Sequence, residues 1–342
     1  MGTQPDPLAR HRRVSVAPML DWTDRHCRYF HRLLTSQALL YTEMVTTGAL
    51  LHGDTARHLQ FHAHEQPVAL QFGGSDPNDL ARCARLAQSW GYAEVNLNCG
   101  CPSSRVQRGA FGACLMHEPV LVADCVKAMC DVVAVPVTVK HRIGIDHNES
   151  YEFVRDFVGR VHEAGCGVFI VHGRNAWLNG LSPKQNREIP PLRPSIVYRL
   201  KVDFPGLHIS YNGGVQSPEE IEAHLRHVDG VMVGRAAYQQ PWLMADWDRR
   251  FFGMDGSAVT RESVEEAMVA YMLQERAASG TAVLAIARHM LGLRHGLPGA
   301  RGWRQVWSDH RLRDASPVDI MLRASAGRRT SIDQNQLALD RT

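Results

Sequence analysis

The amino-acid sequence predicts an α/β fold, a (β/α)8 or TIM barrel followed by a smaller all-helical domain. Short apolar runs rich in β-branched residues recur through the first part of the chain, and helical patterns separate most of them. Strands that are apolar on both faces and alternate with helices form parallel sheets covered by helices. Eight such units are what a closed barrel of this kind contains.

The eight predicted strands are short and almost continuously apolar. In chain order they are VSVAPM (14–19), ALLYTEM (38–44), PVALQF (67–72), AEVNLN (93–98), PVTVKH (136–141), GVFIVH (167–172), HISYN (208–212) and GVMVG (230–234). The helices between them have recognisable ends, since Asp76 and Pro77 begin the one that Gly91 closes. The two longest intervals, 99–136 and 173–207, follow strands four and six, and they belong to the barrel face where active sites form.

After about Gly253 the pattern becomes purely helical. The three segments are ESVEEAMVAYMLQERAA, TAVLAIARHMLGLRH and ARGWRQVWSDH, with a GLPG turn between the last two. We therefore predict a barrel domain over 1–253 and a helical domain over 254–342. The last dozen residues show no apolar period, so we expect them to fray.

Composition and charge exclude several classes of protein. With 342 residues, 44% apolar and 21% charged, the chain has ordinary globular usage. It lacks the apolar core of a secretory signal and the run of about 18 apolar residues that a membrane span needs, which predicts a cytoplasmic protein that does not enter a membrane. A net charge of +3 excludes a polybasic chain.

The positive charge is nevertheless uneven. Between Thr281 and Arg313 the only acid is Asp309, and the basic residues are Arg288, Arg294, Arg301, Arg304, Arg311 and Arg313. Charge alone leaves open whether this stretch is a solvated helical face or a nucleic-acid surface.

Three of the eight cysteines lie in the stretch EVNLNCGCPSSRVQRGAFGACLM (94–116). A metal cage, a disulfide, a catalytic acid and core packing are the alternatives. Thiols stay reduced in a chain without a secretory signal, and no paired C-x-x-C of the kind that zinc ribbons use is present. We therefore predict neither a disulfide framework nor a metal site.

The predicted carboxyl ends of the strands are polar. In strand order they carry Pro18-Met19-Leu20, Glu43, Gln71, Asn96 with Asn98 and Cys101, Lys140, His172, Asn212-Gly213-Gly214 and Gly234-Arg235. Glycines after strands seven and eight let backbone N–H groups approach a phosphate, although tight barrel turns would also explain them. Together with a cation after strand five and an amide after strand three, they favour a phosphorylated cofactor.

Nine motifs follow one another along the chain: SVAPMLDWTD, YTEMV, QFGGSDP, NLNCGCPSSRVQRGAFGACLM, VTVKHRIGID, VHGR, LSPKQNREIPPL, NGG and VMVGR. In order and spacing this set resembles the tRNA-dihydrouridine synthases, and within that family the bacterial A-type branch. The match runs from about Arg13 to about Arg304. It implies reduction of U20 and U20a in the D-loop of tRNA.

The resemblance implies that FMN lies across the barrel mouth. By motif, Pro18, Met19 and Leu20 line the isoalloxazine, Gln71, Lys140 and His172 hydrogen-bond the flavin, and the phosphate is held by Asn212, Gly213, Gly214, Gly234 and Arg235. NADPH, or alternatively NADH, would reduce the flavin by transient binding, since no G-x-G-x-x-G follows a predicted strand. We expect a preference for NADPH.

The same resemblance assigns a role to Cys101. Reduction of the uracil 5,6 double bond needs a hydride, which flavin N5 supplies, and a proton, which Cys101 would supply as a general acid. A thiol of ordinary acidity is mostly protonated at neutral pH, so it can donate. Asn98 would orient the uracil by hydrogen bonds. We interpret Cys99 and Cys114 as packing residues, with Cys114 buried, and His141 as an outward-pointing strand residue.

The resemblance also marks the residues that orient tRNA: Lys184, Arg187, Arg301 and Arg304. Arg174 is a further candidate contact. We predict that Trp303 and Trp307, spaced i, i+4, pack in the core instead of stacking on bases. The partner is therefore tRNA, and we expect a monomer without an obligatory protein partner.

Two other functions compete with this interpretation. A flavin barrel of the dihydroorotate or dihydropyrimidine dehydrogenase type explains the cofactor residues equally well, but it does not explain an arginine-bearing helical domain, and it predicts turnover of a free pyrimidine. A non-enzymatic RNA-binding or chaperone module predicts tRNA binding without bound flavin.

Overall fold

The computed structural model describes residues 6–255 and 259–326. Eight parallel strands close into a barrel in chain order, with β1 paired to both β2 and β8. The strands are β1 Val14–Val16, β2 Leu39–Thr46, β3 Val68–Gly73, β4 Glu94–Cys99, β5 Val137–Arg142, β6 Val168–His172, β7 His208–Asn212 and β8 Gly230–Val233. The predicted (β/α)8 barrel is confirmed, and every predicted strand is present. Strand β1 ends at Val16 instead of residue 19, and the bounds of the other strands differ from the predicted ones by at most two residues.

Helices follow most strands and dominate the end of the chain. The α-helices are α1 Arg25–Leu34, α2 Thr47–His52, α3 Thr55–Leu59, α4 Pro77–Ser89, α5 Ser104–Arg108, α6 Pro119–Cys130, α7 Tyr151–Glu163, α8 Pro194–Asp203, α9 Pro218–Leu225, α10 Arg235–Gln239, α11 Trp247–Phe252, α12 Arg261–Ser279, α13 Val283–Ala287 and α14 Ala300–Trp307. Short 3-10 helices are His11–Arg13, Ala63–Glu65, Gly112–His117, Gln185–Arg187, Pro241–Asp246 and His310–Leu312. Residues 317–326 are helical. No helix among the described residues is both long and apolar enough to cross a bilayer.

Local sequence explains where the helices begin and end. The Asp76 side chain accepts a hydrogen bond from the backbone N–H of Asp79, and Pro77 occupies the first turn of α4. Gly91, just beyond α4, has φ +90°, a conformation that glycine adopts without strain. Ser150 caps α7 in the same manner as Asp76 caps α4. These signals are the ones that the sequence analysis used to place α4.

By its internal contacts the chain divides into two compact units. The barrel unit contains the chain up to Arg25 and Gln37–Gly234, and the helical unit contains His26–Ser36 and the chain from Arg235 onward. The structural division therefore falls before α10, whereas the predicted domain boundary, after residue 253, falls after α11. The predicted fraying of the last dozen residues lies outside the described residues.

Helix α1 belongs to the helical unit although it lies between β1 and β2 in the chain. His26 Nδ1 lies 2.8 Å from the hydroxyl of Tyr271 on α12, and the Tyr29 ring stacks on Tyr271 with centroids 3.9 Å apart. At the end of α1, the Asp248 carboxylate accepts hydrogen bonds from Thr35 and Ser36. These contacts tie α1 to the helices that follow the barrel.

The core of the helical unit is built around α12 and α14. Trp303 and Trp307 are 0% and 1% exposed, so the prediction that they pack in the core is confirmed. The predicted helix over 281–295 is shorter than expected, because α13 ends at Ala287. Turns with i to i−3 hydrogen bonds follow it, and a Cβ at Gly292 would lie 2.6 Å from the backbone oxygen of Gln239.

Candidate active site

The loop after β4 is built around Asn98 and Cys101. The Asn98 Oδ1 accepts the backbone N–H of Gly100 at 3.1 Å and that of Cys101 at 3.0 Å. The Cys101 carbonyl accepts the N–H of Ala113 at 2.9 Å. Gly112 has φ +79°, and a Cβ there would lie 2.7 Å from the Cys101 oxygen. Cys101 is half-buried, and its backbone is held from both sides.

Three amide side chains from β3 and β4 contact one another beneath this loop. Asn98 Nδ2 donates to Gln71 Oε1, and Gln71 Nε2 donates to Asn96 Oδ1, each at 2.8 Å. All three residues are buried, with at most 9% exposure. The sequence predicts that Gln71 binds the flavin and that Asn98 binds the uracil. In the structure their side chains also hydrogen-bond to each other.

Lys140 is a half-buried cation near the end of β5. It pairs in register with Asn98 across β4 and β5. Among the described residues it has no ion pair and no side-chain hydrogen bond. Burial, and next the positive charge of Arg142, lower the pKa of Lys140 to about 7. An anionic ligand would remove this penalty, so the site favours one.

His172 lies at the end of β6, and its Nδ1 is buried without a hydrogen-bond partner. Burial, followed by the charges of Arg142 and Lys140, holds the pKa of His172 well below its usual value. The imidazole is therefore neutral and has one donor and one acceptor nitrogen. An orphaned polar atom in a buried position marks a place for a ligand group.

The turn after β7 exposes backbone N–H groups. Asn212 Nδ2 donates to the Met232 carbonyl at 2.8 Å and thereby joins β7 to β8. Gly213 and Gly214 have φ +123° and +73°, and a Cβ at Gly214 would lie 2.5 Å from Leu192 Cδ1. Neither glycine N–H donates a backbone hydrogen bond within the described chain. This donor set suits an anion such as a phosphate.

The last two residues predicted to hold a phosphate are adjacent in the chain. Gly234 directly follows β8, and Arg235 begins α10 and is half-buried. The division between the two compact units falls between these two residues.

The segment after β1 forms a turn fixed by Thr23. Met19 N–H donates to Thr23 Oγ1 at 2.9 Å, and the Met19 carbonyl accepts the N–H groups of Trp22 and Thr23. Pro18 is half-buried, whereas Leu20 is 67% exposed. An apolar side chain this open at a strand end is consistent with contact to a planar ligand.

Arg142 is a structural anchor that the sequence analysis did not identify. Its guanidinium donates to the carbonyls of Gly100 at 3.0 Å, Asn186 at 3.0 Å and Asn175 at 3.3 Å. It is 4% exposed, and burial lowers the pKa of Arg142 to about 10. These three carbonyls belong to loops after β4 and β6. The only sequence signal was its position two residues after Lys140.

The long loop after β6 is organised around Asn186. The Asn186 amide is fully buried and exchanges hydrogen bonds with the backbone of Trp177 at 2.7 and 2.9 Å. Lys184 and Arg187 flank Asn186 and are exposed. Gln107 Nε2 donates to the carbonyls of Pro102 and Leu178, which joins this loop to the Cys101 loop.

Arg174 also stabilises the loop after β6. Its Nη1 donates to the Pro190 carbonyl and, at 3.4 Å, to that of Glu188. Part of its donor capacity therefore serves the loop itself. A contact of Arg174 with tRNA stays a prediction.

Arg301 and Arg304 lie on α14 in the helical unit and are exposed, while Trp303 and Trp307 on the same helix are buried. The arginines and the tryptophans therefore occupy different faces of α14.

The remaining sequence interpretations have mixed outcomes. Cys99 is fully buried, as expected of a packing residue. The expectation that Cys114 is buried is wrong, because this residue is half-buried and its Sγ donates to the Phe111 carbonyl of its own turn. His141 points away from the barrel interior, as predicted, and its ring packs against Phe157 of α7.

The geometry defines a barrel enzyme whose strand ends gather a thiol, amides, a neutral imidazole and an unpaired lysine at one mouth. The family model for dihydrouridine synthases matches residues 15–326. The chain therefore belongs to the dihydrouridine synthase family, and it is an enzyme of that kind.

Curated relatives are similar over almost the whole chain. A tRNA-dihydrouridine(20/20a) synthase of Vibrio parahaemolyticus is 57% identical over 315 residues, covering 92% of this chain and 96% of the relative. A tRNA-dihydrouridine(20/20a) synthase of Escherichia coli K12 is 57% identical over 310 residues, covering 90% of this chain and 89% of the relative.

Solved structures of other enzymes share the fold. Morphinone reductase aligns with a TM-score of 0.50 at 14% identity, covering 74% of this chain and 88% of its own. A 2-naphthoyl-CoA reductase, solved as a complex with 2-naphthoyl-CoA, aligns with a TM-score of 0.53 at 11% identity, covering 72% of this chain and 51% of its own. At such identity the similarity concerns the fold alone.

Proposed function

We propose that this protein reduces uridine to 5,6-dihydrouridine at U20 and U20a in the D-loop of tRNA, using FMN and NADPH or NADH. The observation that carries the proposal is the mouth of the barrel, where Cys101 follows Asn98 on β4 and Lys140 lies on the neighbouring strand. The names of the 57% identical relatives support the nucleotide positions.

The residues at the mouth fit FMN. Gly213 and Gly214 offer backbone N–H groups to the phosphate, together with Asn212, Gly234 and Arg235. Lys140, the orphaned His172 Nδ1 and the one amide N–H of Gln71 that Asn96 does not use would hydrogen-bond the polar groups of the flavin. Pro18, Met19 and Leu20 would contact the flavin ring. When bound, the flavin supplies the hydride.

The chain's own contribution to the chemistry is the proton. Cys101 holds it on Sγ and donates it to one carbon of the uracil 5,6 bond. Asn98 has one Nδ2 hydrogen that Gln71 does not use, and this hydrogen orients a uracil carbonyl. The backbone bonds to Asn98 and Ala113 hold the thiol-bearing residue in place before the substrate arrives.

Cys101→Ala tests the acid assignment. We expect loss of dihydrouridine formation with flavin absorbance and tRNA binding retained, because the thiol belongs to neither binding set. Cys114→Ala, at a half-buried cysteine in the same segment, is the matched control and should keep its activity. Retained activity in Cys101→Ala would refute the assignment.

Extrusion of the target base from folded tRNA costs a few kcal/mol, which contacts elsewhere must offset. We assign these contacts to Lys184, Arg187, Arg301 and Arg304. Charge reversal at Arg301 and Arg304 should weaken tRNA binding and lower the salt dependence of the binding constant by about one unit of slope per lost phosphate contact. An unchanged slope would remove both residues from the interface.

Three measurements separate the competing functions. A purified preparation without flavin absorbance would favour an RNA-binding module, and turnover of free uracil or dihydroorotate would favour a small-molecule dehydrogenase. Mapping dihydrouridine in tRNA from cells that lack this protein tests the position. Loss at 20 and 20a supports the proposal, and loss at 16 or 17 contradicts it. The preference for NADPH, the monomeric state without a protein partner and the cytoplasmic location stay predictions.

A further inference from the structure

A continuous line of buried hydrogen bonds runs through the barrel from the loop after β4. Asn98 Nδ2 donates to Gln71, Gln71 Nε2 to Asn96, and Asn96 Nδ2 to Thr138 Oγ1, each at 2.8 Å. Thr138 Oγ1 then donates to Glu94 Oε1 at 2.6 Å. We name these five residues the polar ladder. Its members come from β3, β4 and β5, and all are buried.

The Glu94 end of the polar ladder can only accept hydrogen bonds. Arg12 Nε donates to Glu94 Oε2 at 2.7 Å, and the Tyr41 hydroxyl donates to Oε1 at 2.6 Å. The Thr138 hydroxyl therefore directs its proton at the carboxylate, since its other acceptor, the Val95 carbonyl, is neutral and 3.4 Å away. The lone pairs of the hydroxyl are then left to accept from the next amide.

The opposite end can only donate. The backbone N–H groups of Gly100 and Cys101 point at Asn98, so its Oδ1 must face them and its Nδ2 must face Gln71. The two ends thus impose the same direction on every amide between them. Reversal of any one amide would set donor against donor or acceptor against acceptor in a buried site.

We propose that Thr138 and Glu94 are positioning residues for the Cys101 loop. Through the polar ladder they hold the Asn98 amide in the orientation that accepts the Cys101 N–H, although neither of them hydrogen-bonds to the loop itself in the described chain. The catalytic importance of this loop rests on the proposed function. The hydrogen bond of the Cys101 amide does not depend on that function, so it can be measured separately.

The experiment compares Thr138→Val with Tyr41→Phe. Each removes one hydroxyl donor from the same Glu94 oxygen, but only Thr138 lies on the path to the loop. The protein is labelled with 15N-cysteine, which yields eight backbone amide signals. The signal of Cys101 is identified by its loss in Cys101→Ser, and hydrogen exchange is followed by NMR at all eight.

In Thr138→Val we expect exchange at the Cys101 amide to rise about tenfold, the change that loss of one buried hydrogen bond produces, with the other seven signals steady. Tyr41→Phe should leave Cys101 unchanged, and Thr138→Ser, which keeps the hydroxyl, should restore it. The rate of tRNA reduction at saturation should fall in Thr138→Val while KM for tRNA stays constant. Thr138→Ala replaces the valine variant if valine does not fold.

Unchanged exchange at Cys101 in Thr138→Val overturns the proposal, and so does an equal rise at all eight amides or the same Cys101 response in Tyr41→Phe. The two proposals can fail separately. If exchange rises only at Cys101 but the unmodified protein does not reduce tRNA, the positioning role of the polar ladder is supported and the proposed function is contradicted.

Discussion

Two buried carboxylates, one in each compact unit, have similar hydrogen-bond donors around them, but the hydrogen-bond network extends much further from one than from the other. In the barrel, Glu94 is fully buried and takes hydrogen bonds from Arg12, Tyr41 and Thr138. In the helical unit, Glu265 is 3% exposed and takes one from Arg294 at 2.9 Å. In both places an arginine and two neutral donors surround one carboxylate.

The neutral donors are where the two sites differ. Glu265 Oε1 accepts the indole N–H groups of Trp303 at 2.7 Å and Trp307 at 2.9 Å. An indole N–H donates and cannot accept, so each bond ends there. A threonine hydroxyl both donates and accepts, as do the amides beyond Thr138, so the direction set by Glu94 continues toward the barrel mouth. A buried carboxylate therefore orients a longer chain of hydrogen bonds when its donors can also accept than when they can only donate.

The largest effect should come from removal of the barrel carboxylate. Glu94→Leu leaves Arg12 buried without its main partner, and we expect a loss of about 3–5 kcal/mol in the free energy of unfolding. The double variant Arg12→Met with Glu94→Leu should recover most of it, because no buried charge is then left unpaired and Asp6, which loses Arg12, is partly exposed to water. Urea denaturation measures both. A single variant as stable as the unmodified protein would contradict the assignment of Glu94 as a buried acceptor.

The two sites should also differ in the kinetic step that they affect. Glu265→Gln weakens the anchorage of α14, which carries Arg301 and Arg304, so we expect tRNA affinity to fall about tenfold, or 1.4 kcal/mol, with kcat unchanged. Thr138→Val should have the opposite pattern. Steady-state kinetics and tRNA binding at one salt concentration measure both. A lower kcat with normal affinity in Glu265→Gln would show that the two carboxylates act alike.

Lys140 is a half-buried cation that, within the described chain, lacks the carboxylate partner that Arg12 and Arg294 have. In the flavin-free protein, Lys140→Met should raise the free energy of unfolding by at least about 1 kcal/mol at pH 6. Because the pKa of Lys140 is about 7 when folded and near 10.4 when unfolded, the gain should be complete below pH 7 and shrink as pH rises toward 10.

Unfolding of the flavin-free protein at pH 6, 8 and 10 measures this gain. The control is the same variant with added FMN, which should stabilise it less than it stabilises the unmodified protein. A gain that grows with pH would show that the charged lysine is not penalised.

The smallest effects should come from Asp6 and Glu262, the more exposed of the two carboxylates that contact Arg12 and Arg294, respectively. Asp6 contacts Arg12 with 32% of its side chain exposed, and Glu262 contacts Arg294 with 57% exposed. We expect Asp6→Asn to cost about 1 kcal/mol and Glu262→Gln less than about 0.5 kcal/mol, since exposed ion pairs are screened by water. Urea denaturation of the two variants side by side tests the order. Equal costs would show that exposure does not decide them.

Much of the fold could be predicted because its signals are local. The β-branched runs, the Asp76 cap and the glycine at position 91 are each decided by a few neighbouring residues. Predictions failed where distant residues compete with local preference. Helix α13 ends at Ala287, and beyond it Gly292 lies close to the backbone of Gln239. Helix α1, whose local pattern says nothing about its partners, joins the helical unit through Tyr271.

The candidate site divides in the same way. The motifs placed Cys101, Lys140 and His172 at strand ends, but no spacing in the chain indicated that Arg142 would bind three loop carbonyls. Asn186 escaped notice for the same reason, since its role depends on the backbone of Trp177.

The sequence by itself determined the eight strands, the helical region and the family motifs at the strand ends, because apolar period, capping and motif spacing act over short stretches of chain. The tertiary structure alone decided which polar atoms meet. A hydrogen bond requires atoms within about 3 Å, and the polar ladder draws them from three separate strands. The orientation of each amide in it depends on both ends at once, which only the closed barrel brings together.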